Sequence, residues 1–122
     1  MPRIRRILAI EDNADVLRVQ TALLRAMGHE VLPVPTSAEA LAAAETFRPD
    51  VVIIDLGLPD MSGYDLARAL RRLPATSNAR LIALTGYGTP EARRHSEEAG
   101  IDEHFVKPVS VDDLNRVLNE EE

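Results

Sequence analysis

Short runs of apolar residues alternate along the chain with longer segments in which apolar residues recur every three or four positions. The short runs cover residues 7–10, 51–54, 81–84 and 104–106. A run of this length is typical of a strand that is buried on both faces of a parallel sheet, so each predicts one strand. A fifth run, at 31–34, contains Pro33 and is followed by Pro35. Because proline cannot donate a ladder hydrogen bond, we predict that this strand lies at a sheet edge.

The segments between these runs predict five helices. They cover residues 14–27, 36–47, 62–73, 89–100 and a last segment that begins at Ser110. The first helix carries four apolar residues at helical spacing, which predicts that they face the core: Val16, Val19, Leu23 and Met27. The fourth helix opens with Thr89 and Pro90, which are typical of a helix start. It has few apolar residues, so we expect it to be loosely held.

Alternation of strands and helices predicts an α/β fold with a parallel sheet, right-handed crossovers and helices on both faces. With the second strand at an edge, the pattern fits a flavodoxin-like (βα)5 doubly wound sheet with strand order 2-1-3-4-5. We predict that residues 1–122 form a single domain of this kind. The first and third strands then flank the topological switch point, where ligands bind in such sheets.

Residues suited to phosphate chemistry stand at the ends of four predicted strands. They are Glu11 and Asp12, Asp55, Thr85, and Lys107. Lys107 is the only lysine in the chain, against 13 arginines. A compact ammonium differs from a planar guanidinium, which favours a role for this residue as a point charge on phosphate or carboxylate. Because the carboxyl ends of parallel strands share one edge of the sheet, we expect these side chains to meet.

Composition excludes several classes of function. The net charge of −6 disfavours a nucleic-acid surface, which needs a basic stripe, so we expect no direct nucleic-acid binding. The chain has no cysteine, which excludes a disulfide framework and a thiol nucleophile. No apolar stretch approaches the roughly 18 residues that span a bilayer. We therefore expect a cytoplasmic protein without membrane insertion.

The acidic residues at the strand ends predict a metal site. The carboxylates of Glu11, Asp12 and Asp55 would repel one another at close range unless a cation lay between them. Oxygen ligands of this number favour Mg²⁺, which takes one or two carboxylates and keeps several waters. Gly57 can offer only its main chain, and a carbonyl ligand from that residue is plausible.

The motifs that contain these residues resemble the receiver domain of two-component response regulators over nearly the whole chain. They are the segments Ile-Glu-Asp-Asn at 10–13, Ile-Ile-Asp-Leu-Gly-Leu-Pro-Asp-Met-Ser-Gly at 53–63, Leu-Thr-Gly at 84–86 and Val-Lys-Pro at 106–108. The resemblance implies that Asp55 accepts a phosphoryl group from the phosphohistidine of a sensor kinase. It further implies that Mg²⁺ is held by Asp12 directly, by Glu11 largely through water, by Asp55 and by the Gly57 carbonyl.

The resemblance also implies a switch. Lys107 would bridge Asp55 and the phosphoryl group, the Lys107–Pro108 bond would be cis, and the Thr85 hydroxyl would move toward the phosphate. Receivers usually carry a switch aromatic three residues before the lysine, where this chain has His104. Either the imidazole substitutes for the ring, or coupling runs through the fourth helix and the loop before it. Gly57 and Tyr87 lack acid or amide groups to orient water, so we expect slow to moderate self-dephosphorylation.

The function that the resemblance implies is that of a phosphoacceptor and not of an enzyme in its own right. Its partners would be a sensor histidine kinase or phosphotransfer protein and a downstream protein target, the latter bound through the helix 4, strand 5 and helix 5 face. We expect a monomer or a weak phosphorylation-dependent dimer. Two alternatives stay open: a receiver module from a hybrid histidine kinase, and a binding module of the same fold that does not depend on phosphorylation.

Overall fold

The predicted elements are all present in the computed structural model, which describes residues 4–58, 60–86 and 88–119. The strands are β1 (Arg6–Ile10), β2 (Glu30–Val34), β3 (Val51–Asp55), β4 (Arg80–Thr85) and β5 (Glu103–Val106). The helices are α1 (Ala14–Ala26), α2 (Ser37–Phe47), α3 (Gly63–Arg72), α4 (Pro90–Glu98) and α5 (Val111–Asn119). None of the described helices is long and apolar enough to cross a membrane.

The strands form one parallel sheet in the order β2-β1-β3-β4-β5, as the sequence predicts. β2, with its proline, lies at an edge, and every residue of the central strand β3 is buried. Ile10 is in register with Val34 on one side and with Ile54 on the other. This register brings the residues that follow β1 and the last residue of β3 to the same edge of the sheet.

Two apolar layers cover the sheet. On one face, β-strand residues pack with α2 and α3, chiefly through Ala40, Ala44, Leu66 and Leu70. On the other face, α1 and α5 supply Leu24, Leu114, Val117 and Leu118. The helices therefore lie on both faces of the sheet, as expected for a doubly wound fold.

The prediction of which α1 residues face the core is wrong in part. Val16 is 43% exposed and Val19 is 67% exposed, whereas Thr21 and Leu24 are buried. The stripe formed by Leu17, Thr21 and Leu24 also has helical spacing, and the Thr21 hydroxyl donates a 2.6 Å hydrogen bond to the Leu17 carbonyl. Because that bond satisfies the hydroxyl, burying threonine costs little, and the helix turns this stripe to the sheet.

Candidate functional site

Three carboxylates meet at the switch point between β1 and β3. Glu11 directly follows β1, Asp12 comes next, and Asp55 is the last residue of β3. One carboxylate oxygen from each lies within 4.8 Å of the others, a spacing that could hold a metal ion. Glu11 is 4% exposed and Asp55 is 8% exposed, while Asp12 faces solvent. The cluster is thus partly enclosed and open on the side of Asp12.

The side chain of Lys107 reaches this cluster from the loop after β5. Its Nζ lies 3.1 Å from Glu11 Oε1 and 3.3 Å from Asp55 Oδ1. The main-chain N–H of Lys107 donates a 2.7 Å hydrogen bond to the Thr85 carbonyl, which fixes this loop to the end of β4. The lone lysine therefore bridges two carboxylates that belong to two neighbouring strands.

The close approach of these charges shifts two pKa values. Burial raises the pKa of Glu11, and the neighbouring Asp55 raises it further, against the opposing effects of the Asn13 N–H and Lys107. Burial alone would lower the pKa of Lys107, but its hydrogen bond to Glu11 and the charges of Asp55 and Glu11 reverse that effect and raise it. The lysine thus stays charged and offsets part of the repulsion among the acids.

The loop after Asp55 borders the same carboxylate. The Gly57 N–H donates a 3.0 Å hydrogen bond to Asp55 Oδ1, and the Leu56 N–H donates a 3.1 Å bond to the Leu84 carbonyl. A Cβ at Gly57 would lie 3.6 Å from Asp55 Oδ1, in ordinary van der Waals contact. The main chain at position 57 is therefore adjacent to the acidic cluster, where a carbonyl ligand was predicted.

The predicted switch residues divide into two places. Thr85 is buried at the end of β4, next to the cluster, and the Lys107–Pro108 bond is cis. His104 contacts α4: its Nδ1 is 2.7 Å from the hydroxyl oxygen of Ser96, which is 1% exposed. Tyr87, which was expected to affect dephosphorylation, lies outside the described residues.

Sequence reasoning missed the structural roles of four residues. Ser96 gave no signal, because a serine among charged residues looks solvent-facing. Asp60 and Gly63 belong to the 53–63 motif, but the sequence does not indicate that Asp60 caps α2 or that Gly63 packs on the backbone after Asp55. Arg71 on α3 would be expected to face solvent, but it donates to the carbonyls of Gly100, Ser77 and Ala79 and pairs with Asp102 at 2.7 Å.

Residues 7–119 match the family model of the response regulator receiver domain. The chain belongs to this family. Among curated relatives, the transcriptional regulatory protein KdpE of Mycobacterium tuberculosis is 37% identical over 108 residues, which are 88% of this chain and 46% of KdpE. The two-component response regulator PhoP of Pseudomonas aeruginosa is 35% identical over 114 residues, 93% of this chain and 50% of PhoP. The receiver chain thus spans about half the length of these two relatives.

Solved receiver structures match over most of the chain. The chemotaxis protein CheY4 of Vibrio cholerae has a TM-score of 0.89 at 28% identity, covering 95% of this chain and 97% of that one. The receiver domain of sensor histidine kinase PA1611 from Pseudomonas aeruginosa has a TM-score of 0.85 at 31% identity and covers 95% of both chains. That structure carries a magnesium ion coordinated in its active-site cleft.

Proposed function

We propose that this receiver accepts a phosphoryl group on Asp55 from the phosphohistidine of a sensor kinase or phosphotransfer protein, with Mg²⁺ as cofactor. The observation that carries the proposal is the meeting of three carboxylates with the only lysine of the chain at one sheet edge. Carboxylates with only a structural role would not be expected this close together, because their mutual repulsion is unfavourable. In a site that binds a cation and a phosphoryl group, this arrangement of carboxylates and a lysine is favourable.

In the transfer step, an oxygen of Asp55 attacks the phosphorus. The bond between phosphorus and the imidazole nitrogen of the donor breaks, and its electron pair stays with that nitrogen. The Lys107 ammonium, 3.3 Å from Asp55 Oδ1, offsets the negative charge on the incoming oxygens, and the buried Thr85 at the end of β4 can offer its hydroxyl to them. Such positioning and charge stabilisation account for most of a protein's contribution to phosphoryl transfer.

The acidic cluster fits Mg²⁺ by the chemistry of its donors, which are all oxygen atoms. Glu11, Asp12, Asp55 and the Gly57 carbonyl would hold the ion. When bound, it would neutralise the carboxylates and the phosphoryl oxygens that share it. The magnesium in the related receiver of PA1611 supports this part of the proposal.

An apolar surface next to the acceptor site supports docking of a phosphodonor protein. α1 and the loop after β5 border an open groove of about 510 Å³, whose apolar lining includes Val16, Val19, Leu23 and Val109. Glu11 and Lys107 also line it. A donor helix placed there would lie beside Lys107, which is 3.3 Å from Asp55 Oδ1.

The output surface of this proposal comprises α4, β5 and α5. The hydrogen bond between Ser96 and His104 is the contact that supports it, because it joins α4 directly to the strand that leads to Lys107. The imidazole thus takes the position and part of the role of the usual switch aromatic. Movement of β5, which pairs with the end of β4, can then be passed to α4 through the contact between Ser96 and His104.

The test is intact mass after incubation with acetyl phosphate and Mg²⁺. We expect wild type to gain about 80 Da, with no gain in EDTA or for Asp55→Asn. Asp65→Asn is the matched control, because Asp65 is an exposed acid on α3 that pairs with Arg68, and it should gain the same mass. A wild type that gains no mass from acetyl phosphate or from a kinase would favour a phosphorylation-independent binding module. A gain by Asp55→Asn would show that the acceptor lies elsewhere.

A further inference from the structure

The loop between Asp55 and α3 is anchored at two points outside the acidic cluster. At its base, Gly63 packs directly on the backbone that follows the acceptor. A Cβ at Gly63 would lie 2.7 Å from the Leu56 Cα and 3.2 Å from the Asp55 carbonyl oxygen. Any side chain at this position would therefore push α3 away from the acceptor strand, and only glycine allows the approach.

The second anchor is Asp60, which caps a helix other than the one its loop leads to. Its Oδ1 accepts a 3.2 Å hydrogen bond from the main-chain N–H of Ser37, and its Oδ2 accepts a 3.2 Å bond from that of Ala38. Both donors belong to the first turn of α2, where main-chain N–H groups have no partner within the helix. The side chain of the helix's own cap residue, Thr36, accepts from the next main-chain N–H along the helix, that of Glu39.

The electrostatics of this contact agree with the geometry. Hydrogen bonds from the N-terminal amides of α2 lower the pKa of Asp60, so its carboxylate is ionised at neutral pH. Nearby in the same loop, Leu58 is buried in the core that α2 and α3 share. The loop is thus fixed to α2 by a charge-assisted contact and to the core by an apolar one.

We propose that Asp60 is a positioning residue for the metal site, an inference that rests on the proposed function. Gly57 lies three residues before Asp60 in this loop. The Gly57 carbonyl is the one predicted metal ligand that belongs to the main chain and not to a side chain. Glu11, Asp12 and Asp55 can adjust to an ion by changing rotamer. A carbonyl can only follow its backbone, so its direction depends on what anchors the loop. Asp60 is not among the predicted ligands and acts through that loop.

The first test compares Mg²⁺ affinity, measured by calorimetric titration, in wild type, Asp60→Ala, Asp60→Asn and Asp65→Ala. We expect Asp60→Ala to bind Mg²⁺ about ten-fold more weakly, the scale on which residues behind a metal ligand act. Asp60→Asn keeps one oxygen acceptor, so its Mg²⁺ affinity should fall between those of wild type and Asp60→Ala. Asp65→Ala removes the same charge from a residue that contacts Arg68 instead of α2, and its affinity should stay within about two-fold of wild type.

A second readout separates positioning from a purely structural cap. Amide exchange of Ser37 and Ala38 should speed up in Asp60→Ala, which verifies that the anchor is lost. At saturating Mg²⁺, Asp60→Ala should take phosphoryl groups from acetyl phosphate at the wild-type rate, and only at low Mg²⁺ should it be slower. A general disruption of the site would lower the rate at both concentrations.

Three results would overturn the inference. Unchanged Mg²⁺ affinity in Asp60→Ala, with the Ser37 and Ala38 amides deprotected, would leave Asp60 as a helix cap alone. An equal loss in Asp65→Ala would assign the effect to net charge. A rate that stays low at saturating Mg²⁺ would point to general disruption. If wild type takes no phosphoryl group, the proposed function fails, but the Mg²⁺ comparison still decides the role of Asp60.

Discussion

α3 and α4 are neighbours in the fold but are held by different forces. α3 buries Gly63, Leu66, Ala67 and Leu70, whereas Ser96 is the one buried residue among the nine of α4. The two helices touch through Tyr64 of α3, whose ring centroid lies 5.6 Å from that of His95. One helix is thus fixed by apolar burial and the other is held chiefly by polar contacts and by its ends.

The energies of these contacts differ enough to give the helices different freedom. Full burial of one leucine contributes about 1.5–3 kcal/mol, and α3 buries two. A hydrogen bond such as that between Ser96 and His104 contributes a net of about 1 kcal/mol. A modest change at the end of β4 can therefore shift α4 while α3 stays in place, which suits the proposed output surface.

The largest effect is expected when apolar burial is removed from α3, which tests whether this helix is held more firmly than α4. We expect Leu70→Ala, at a fully buried site, to lower the free energy of unfolding by about 2–5 kcal/mol. Urea unfolding followed by circular dichroism measures it. A loss below about 1 kcal/mol would mean that α3 is no better anchored than α4.

The difference between α3 and α4 could be predicted from sequence, but the orientation of α1 could not. Leu66 and Leu70 form the one apolar stripe of α3, while the interior of α4 is mostly charged. α1 offers two stripes at helical spacing, and the more apolar one leaves Val16 and Val19 exposed. The hydrogen bond that satisfies the Thr21 hydroxyl permits the less apolar stripe to be buried, and periodicity carries no information about such a bond.

The acidic site was predictable for a topological reason. Parallel strands must end at one edge, so Glu11, Asp55 and Lys107 had to meet once the strand order was fixed. The anchors around the site were not predictable in the same way. Asp60 contacts α2, and Ser96 contacts His104, but each of these three polar side chains looks solvent-exposed from the sequence alone. Only the packed fold brings them together.

A second variant tests how closely the segment before α4 is held. A Cβ at Gly88 would lie 2.7 Å from Val106 Cγ2, and valine cannot easily turn away because it is stiff at χ1. We expect Gly88→Ala to cost about 1–2 kcal/mol by overpacking. Urea unfolding of Gly88→Ala, Val106→Ala and the double variant forms a cycle. The double variant should lose less free energy of unfolding than the two single variants lose together. Strict additivity of the losses would contradict the contact.

The smallest expected effect comes from removing the polar contact of α4. Ser96→Ala should lower the free energy of unfolding by only about 1 kcal/mol, because it removes a single hydrogen bond to His104. Amide exchange should nevertheless rise in α4 and stay unchanged in α3, since the loss is local. Ser77→Ala, an exposed serine in the loop before β4, is the matched control and should change neither helix. Equal exchange increases in α3 and α4 would show that the two helices open together and that α4 has no separate freedom to carry a signal.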